Sequence, residues 1–172
     1  MRKLLILGAG GYGRTIADIA EQLGCYDKIA FLDDSQEKKP GVLGKCQEFL
    51  SFADANTEIY PAFGNNQTRM TWLEQLLEQD ICVPALVHPS AYVSPKAALG
   101  AGVAVLPKAV VNTGAVVKNG CIINIGALVD HYVVMEEGSH AAPGVIIKAE
   151  NRIPAGMKVE SGTIIENRHY PL

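Results

Sequence analysis

Residues 103–135 read VAVLPKAVVNTGAVVKNGCIINIGALVDHYVVM, and an apolar side chain returns at every sixth position of this stretch. The same period extends in both directions to thirteen successive apolar positions. They are Val93, Leu99, Val105, Val111, Val117, Ile123, Val129, Met135, Ala141, Ile147, Ile153, Val159 and Ile165. A repeat of six residues predicts one short strand and one turn per unit.

Two further positions of the repeat keep the same phase. The residue two places before the aliphatic is mostly small, as at Ala97, Ala109, Ala115 and Ala127. Glycines stand three places after it, at Gly102, Gly114, Gly120, Gly126, Gly138, Gly144, Gly156 and Gly162. Small side chains fit near a corner, and glycine adopts positive φ at a turn without steric cost.

Together these positions predict a left-handed parallel β-helix of hexapeptide repeats from about residue 93 onward. The aliphatic side chains fill a three-sided prism, and successive coils stack by parallel strand pairing. Asn151 and Met157 replace small residues and Glu150 replaces a turn glycine, so we expect an irregular or capping last coil. Because the prism is filled, chemistry is expected on its outer faces, usually where subunits meet.

The chain before Val87 has a different pattern, in which short apolar runs alternate with helical spacing. The predicted strands cover residues 2–7, 28–32, 57–63 and 81–87, and the predicted helices cover residues 14–23 and 66–79. Alternation of this kind indicates a parallel sheet covered by helices. The expected fold is an α/β N-terminal Rossmann-like domain, residues 1–87, followed by the β-helix domain, residues 88–172.

Composition limits the partners and the compartment. The chain has 172 residues, 48% of them hydrophobic, and a formal net charge of -3, which favours neither nucleic acid nor a membrane surface as partner. The apolar run before Gly8 is too short for a signal peptide. Cys25, Cys46, Cys82 and Cys121 show no C-x-x-C spacing, so we expect free thiols in the cytoplasm.

A glycine-rich stretch, GAGGYG at 8–13, follows the first predicted strand and opens the first predicted helix. It matches G-x-G-x-x-G, whose backbone N–H groups hold phosphate at a helix N-terminus. The ligand could be a nucleotide-linked sugar or NAD(P), or the stretch could be a structural turn. Only about 86 residues precede the β-helix, roughly one mononucleotide-binding half, which favours the nucleotide-linked sugar.

Polar residues follow the later strands at the same predicted edge of the sheet. Asp33 and Asp34 are placed to bond a ribose, a base or a sugar amine, or to form a solvated turn. Asn65 and Arg69 follow the third predicted strand, and Arg69 is placed to reach a phosphate. The alternative is an N-capped helix with a surface arginine.

Two histidines occupy outward positions of the repeats. His131 follows the inward Val129 by two residues and stands beside Asp130, so it is placed to accept a proton near neutral pH. His140 lies about half a coil further on, and the two histidines would meet more easily across a subunit interface. Zinc is the rival ligand. However, γ-type carbonic anhydrases, which share the β-helix, need three histidines, so no metal is expected.

Several motifs occur in the order found in one family. They are GAGGYGRTIADIA (8–20), FLDD (31–34), AFGNNQTR (62–69), the repeats from HPSAYVSP (88–95), IINIGALVDH (122–131) and GSHAAPG (138–144). Over about residues 1–148 the chain resembles the sialic-acid O-acetyltransferase and UDP-4-amino-sugar N-acetyltransferase family (NeuD/PglD-like).

The resemblance implies a cytoplasmic homotrimer that acetylates an amino or hydroxyl group of a nucleotide-linked or free sugar in surface-glycan synthesis. His131 would be the general base, assisted by Asp130. Acetyl-CoA, the co-substrate, would lie between adjacent β-helices near His140, Asn124, Gly144 and Ala149. The UDP-sugar contacts would fall on Gly8, Gly10, Gly11, Tyr12, Asp33, Asp34, Asn65 and Arg69.

The sequence departs from the family pattern at three places. Tyr132 stands where an acidic residue usually follows the histidine, and Tyr12 stands where some members carry a histidine. Family members also continue for one or two more coils, which help to hold CoA, beyond the point where this sequence ends at Leu172. These departures keep open an alternative, a non-catalytic trimer that binds a nucleotide-sugar or a partner and has a degenerate CoA site.

Overall fold

A computed structural model describes residues 1–35 and 39–172 and divides them into two compact units, Met1–Pro84 and Ala85–Leu172. In the first unit, four parallel strands form one sheet in the order β3-β2-β1-β4. The strands are β1 (Lys3–Leu7), β2 (Lys28–Leu32), β3 (Val42–Gly44) and β4 (Thr57–Pro61). The helices are α1 (Gly11–Leu23), α2 (Phe49–Phe52) and α3 (Asn66–Glu78), with a 3₁₀ turn at Cys46–Glu48.

Burial explains why this sheet forms. Leu4, Ile6 and Leu7 of β1 are almost fully buried, and β1 is central, with β2 and β4 on its two sides. Helix α1 contributes Ile16 and Ile19 to the same core. The observed α/β unit confirms the Rossmann-like expectation, with each helix following a strand of the parallel sheet.

One predicted strand is wrong. We expected residues 81–87 to form the fourth strand of the α/β sheet, whereas the fourth strand is β3, which lies beside β2. Cys82 accepts one hydrogen bond from the N–H of Ile59, but Pro84 has no N–H with which to continue pairing. Strand β5 (Leu86–Val87) pairs instead with Ala104–Val105 in the second unit.

The second unit is the predicted left-handed β-helix, in which each coil has 18 residues and three two-residue strands. Strands β5 to β18 form three parallel sheets, which we call sheets I, II and III. Sheet I contains Leu86–Val87, Ala104–Val105, Ile122–Ile123, His140–Ala141 and Lys158–Val159. Sheet II contains Tyr92–Val93, Val110–Val111, Leu128–Val129, Ile146–Ile147 and Ile164–Ile165. Sheet III contains Ala98–Leu99, Val116–Val117, Val134–Met135 and Arg152–Ile153.

The core follows the predicted period. The second residue of each strand points inward, and from Val105 to Ile165 every such side chain is buried. The turn position three places after it has positive φ throughout residues 102–168, at glycine and at four non-glycine residues. These four are Lys108, Tyr132, Glu150 and Arg168. The backbone conformation thus repeats even where glycine does not.

The strands of the last coil continue regularly to Ile165, so of the two expectations for this coil, irregular or capping, the first is wrong. The chain then folds back over this end of the β-helix, and Asn151 forms an antiparallel bridge with Pro171. The buried Asn151 side chain donates to the carbonyls of Lys148 and Glu166 and accepts the N–H of Tyr170. The polar side chain in a small-residue position therefore anchors the returning segment.

Within the described ranges 1–35 and 39–172, none of the helices has both the length and the hydropathy that membrane crossing requires.

Candidate active site

The corner between sheets II and III brings His131 and Asp130 together. His131 Nδ1 lies 2.8 Å from Asp130 Oδ1, and the two side chains are 44% and 41% exposed. A carboxylate accepts hydrogen bonds, so Nδ1 carries the proton and donates to Asp130. Nε2 is then the basic nitrogen of the imidazole, which is the tautomer that a general base requires.

Three hydrogen bonds converge on one oxygen of Asp130. Oδ1 accepts the backbone N–H of His131 at 2.7 Å, the His131 imidazole at 2.8 Å and the Asn112 amide at 3.1 Å. Partial burial raises the pKa of Asp130, but these hydrogen bonds outweigh it and hold the pKa below its ordinary value. The carboxylate therefore stays ionised and supports the histidine.

Tyr132 occupies the turn position that is Gly114 one coil earlier and Glu150 one coil later, with φ 56°. Its ring meets the His131 ring edge-on, with centroids 5.7 Å apart and an interplanar angle of 82°. It also lies over Gly114, one coil earlier, where a β-carbon would come within 2.5 Å of the ring. The residue that replaces the family's acidic side chain thus packs against the histidine.

An apolar surface adjoins this corner. The outward residues of sheet II are all apolar, and Tyr92 and Ile164 are more than half exposed. An open concavity of 360 Å³ lies on this sheet and is lined by Leu128, Ile146 and Asp130, among others. Contiguous exposed apolar surface is typical of an interface or a ligand groove.

The four residues predicted to contact CoA lie at two different corners. His140 belongs to sheet I and is 8% exposed, and its Nε2 lies 3.0 Å from the amide nitrogen of Asn124, at the corner between sheets I and II. Gly144 is exposed at this same corner, with φ 68°. Ala149 instead lies one coil after His131, at the corner between sheets II and III.

In the first unit, the glycines of the glycine-rich loop form two pairs with different surroundings. Gly8 has φ 96°, and a β-carbon on Gly13 would overlap the carbonyl oxygen of Gly8. Gly10 and Gly11 are exposed, and a β-carbon on either would meet nothing within 4 Å. The first pair is therefore needed for packing, whereas the second pair leaves the N-terminus of α1 open to an incoming group.

The two aspartates after β2 are engaged within the unit. Asp33 accepts the N–H of Ala9 at 2.6 Å and pairs with Lys39 at 3.1 Å. Burial raises the pKa of Asp33, but its hydrogen bonds with Ser35, Ala9 and Lys39 prevail and hold the pKa far below its ordinary value. Asp34 accepts the N–H of Cys46 at 3.0 Å.

Asn65 and Arg69 shape the loop after β4. Asn65 is the N-cap of α3, and its side chain accepts the N–H of Thr68. Arg69 is fully buried, and its guanidinium donates to the carbonyl of Phe63 at 2.9 Å and to the Asn66 side chain at 2.8 Å. The surface-arginine alternative is thus wrong, and the guanidinium is enclosed rather than directed toward an outer ligand.

Tyr12 is tied to the interior of the first unit. Its hydroxyl lies 2.9 Å from that of the buried Tyr60. Burial raises the pKa of Tyr12 to about 12. The phenol therefore stays neutral and joins α1 to β4.

Sequence reasoning did not single out Asn112 as a functional residue. Its signal is its position, since it lies one 18-residue coil before Asp130, and parallel coils stack equivalent positions above one another. Within residues 1–35 and 39–172, no three His, Cys, Asp or Glu side chains are grouped closely enough to hold a metal ion.

Comparison with known proteins agrees with both units. The family model described as the PglD N-terminal domain matches residues 3–76. The acetyltransferase domain of PglB from Neisseria gonorrhoeae FA1090 is similar over 98% of this chain and 84% of its own, with 35% identity and a TM-score of 0.93. A second structure of that domain, in complex with acetyl coenzyme A, gives 36% identity and a TM-score of 0.93 over 97% and 83%.

A more distant structure shares the fold. PerB from Caulobacter crescentus, in complex with CoA and GDP-perosamine, is 23% identical, with a TM-score of 0.73 over 96% of this chain and 92% of its own. The hexapeptide β-helix and the likeness to the PglB domain together define an acetyltransferase. More narrowly, the chain belongs to the PglD-like family of acetyltransferases.

Proposed function

We propose that the chain transfers an acetyl group from acetyl-CoA to an amino or hydroxyl group of a nucleotide-linked sugar, with His131 as general base. The observation that carries the proposal is the His131–Asp130 pair, in which the 2.8 Å hydrogen bond leaves Nε2 basic and the side chain half exposed. Acyl transfer needs a base that can reach the acceptor group, and the half-exposed imidazole offers Nε2 for that role.

The chemistry follows from this tautomer. Nε2 accepts the proton that the acceptor nitrogen or oxygen loses as it forms a bond to the thioester carbonyl carbon. Loss of the thiolate then leaves the amide or ester, and the imidazolium returns its proton to the sulfur. Asp130 stabilises the imidazolium through its hydrogen bond with Nδ1. It would thus take the part of the acidic residue that the family usually places after the histidine.

The surfaces of the second unit support an acetyl-CoA site in a homotrimer. The concavity beside Asp130 is mainly apolar in its lining, which suits the pantetheine arm of CoA. Because Ala149 lies at a different corner from His140, Asn124 and Gly144, one site uses all four only if two subunits contribute. The exposed apolar stripe of sheet II fits such an interface.

The first unit supports a nucleotide-linked acceptor, which we take to be a UDP-sugar. Gly10, Gly11 and Tyr12 present backbone N–H groups at the N-terminus of α1, which would hold a diphosphate. The oxygens of Asp33 and Asp34 already bond backbone N–H groups, so these residues would shape the loop and bond the ligand with their remaining lone pairs. Arg69 and Asn65 would act by holding the neighbouring loop.

We place this reaction in surface-glycan synthesis in the cytoplasm. The four cysteines are free, and Cys25 and Cys82 are exposed, as expected in a reducing compartment.

The test is an acetylation assay with acetyl-CoA and a panel of UDP-linked and GDP-linked amino sugars and their unlinked counterparts. Release of the CoA thiol and acetylation of the sugar, detected by mass spectrometry, should occur with at least one nucleotide-linked amino sugar. Mild alkali separates the products, because an O-acetyl ester is cleaved and an N-acetyl amide is not. Absence of transfer to the entire panel, in protein that binds a nucleotide-sugar, would favour the non-catalytic trimer instead.

A further inference from the structure

Asn112 lies one coil before Asp130 at the corner between sheets II and III. Strand Val110–Val111 pairs in register with Leu128–Val129, which places the side chains that follow these strands in one column. Asn112 Nδ2 donates to Asp130 Oδ1 at 3.1 Å. Asn112 Oδ1 accepts the N–H of Thr113 at 2.7 Å, so the amide group is oriented with its nitrogen toward the carboxylate.

The other two donors to Asp130 Oδ1 both belong to His131, the next residue in the chain. A half-exposed hydrogen bond between two side chains is weakly held on its own, because water competes for both partners. Asn112 supplies the hydrogen bond that joins this pair to a different coil of the β-helix. It therefore ties the carboxylate to the rigid stack of strands.

We propose that Asn112 is a positioning residue for His131: through Asp130 it keeps the proton on Nδ1 and Nε2 free to act as the base. This inference rests on the proposed function, since it assigns His131 the role of base. Without the amide, Asp130 rotates more freely, and the imidazole spends more time in other rotamers and in the other tautomer. Asn112 does not touch the reacting atoms in this arrangement.

Asn119 offers a matched control. Like Asn112, it lies at a corner of the β-helix, is partly exposed and accepts a backbone N–H through its side-chain oxygen, here from Ala101 at 2.9 Å. It belongs to a different column from Asp130. The variants Asn112→Ala and Asn119→Ala therefore each remove one amide and one bond to the backbone, but only the first removes a bond to Asp130.

The first measurement is kcat for acetyl transfer in the single variants and in Asp130→Ala with and without Asn112→Ala. We expect Asn112→Ala to lower kcat about tenfold, and Asn119→Ala to change neither kcat nor KM for acetyl-CoA. In the Asp130→Ala background, Asn112→Ala should have no further effect, since the carboxylate through which it acts is gone. Equal losses in both backgrounds would overturn the proposal.

The second measurement does not depend on activity. Nitrogen-15 spectra of histidine-labelled protein report which ring nitrogen of His131 carries the proton. Asn112→Ala should reduce the Nδ1–H form, and Asn119→Ala should leave it at the wild-type level. If wild type shows no acetyl transfer but this tautomer shift occurs, the proposed function fails while the positioning by Asn112 stands; an unchanged tautomer overturns the positioning role.

Discussion

The corner that carries His131 and the glycine-rich loop of the first unit both present polar groups at the end of a strand, but they use them in opposite ways. At the corner, Asp130 bonds the histidine, and both side chains remain half exposed. At the loop, Asp33 bonds the backbone of the loop itself, and Arg69 is fully enclosed.

This contrast follows from the two architectures. The filled prism of the β-helix has no interior space for a polar side chain of this size, so a histidine outside the aliphatic positions is directed outward. In the α/β unit, polar side chains at the carboxyl edge of the sheet can turn back and satisfy nearby backbone groups. In the function that we propose, side chains would therefore carry the chemistry of the second unit, and backbone N–H groups would carry most of the ligand binding by the first.

The largest effect on activity is expected at the corner between sheets II and III, which carries His131. His131→Ala is expected to lower kcat for acetyl transfer by roughly 10²–10⁴, the usual contribution of a general base. The matched control is His169→Ala, which removes an exposed histidine near the chain end and should leave kcat unchanged. Steady-state kinetics with thermal melting of both variants checks the prediction. If folded His131→Ala kept the wild-type kcat, His131 would not be the general base.

The next effect separates the two kinds of glycine in the loop. Gly13→Ala places a β-carbon against the Gly8 carbonyl, which is backbone and yields little, so we expect about 3 kcal/mol of destabilisation. Trp72, the single tryptophan, lies in α3 and reports unfolding of this unit by fluorescence in urea.

Gly10→Ala is the control for that experiment. Gly10 has φ −76° and open space around a β-carbon, so the stability of this variant should stay within about 0.5 kcal/mol of wild type. Its affinity for a nucleotide-sugar should nevertheless fall about tenfold, since a methyl group obstructs approach to the backbone N–H groups. Equal stability losses in the two variants would contradict the division of roles within the loop.

Sequence alone could predict the β-helix and the outward position of His131, because one period of six residues fixes both. It could not predict that Tyr132 and Glu150 adopt the positive φ of a turn glycine, since local preference favours glycine there and the stacking of coils overrides it. The hydrogen bond between Asn112 and Asp130 could not be predicted from the sequence either. The two residues lie 18 positions apart, and only the coil length makes them neighbours.

The first unit was predicted less completely for a physical reason. The sequence places Asp33 and Arg69 at the correct edge of the sheet, but an edge position does not say which backbone group a side chain bonds. Arg69 is enclosed because Phe63 and Asn66 offer acceptors nearby, and such a local network has no periodic signal. Strand β3 was missed because it has only three residues.

A smaller effect concerns the pH dependence of the first unit. The pKa of Asp33 is lowered in the folded protein, so its ionised form stabilises the fold above the ordinary aspartate pKa of about 4 and this contribution is lost as the pH falls. Asp33→Asn should lower stability by about 1 kcal/mol at pH 7, with a smaller difference from wild type below pH of about 4. Urea titrations followed by Trp72 fluorescence measure this difference. A difference that grows on acidification would show that the Asp33 charge does not stabilise the unit.

The smallest effect returns to the corner and tests whether Tyr132 replaces the missing acid by packing. Its edge-on contact with His131 restricts the imidazole without adding charge, so Tyr132→Ala should lower kcat about two- to fivefold. Tyr132→Phe keeps the ring and should retain kcat. In both variants His131 should keep its proton on Nδ1, as nitrogen-15 spectra would show, because the carboxylate of Asp130 is unchanged. If Tyr132→Ala reduces the Nδ1–H form as far as Asp130→Ala does, then Tyr132 acts on the tautomer of the base and not only on its orientation, and the corner would work through two such partners.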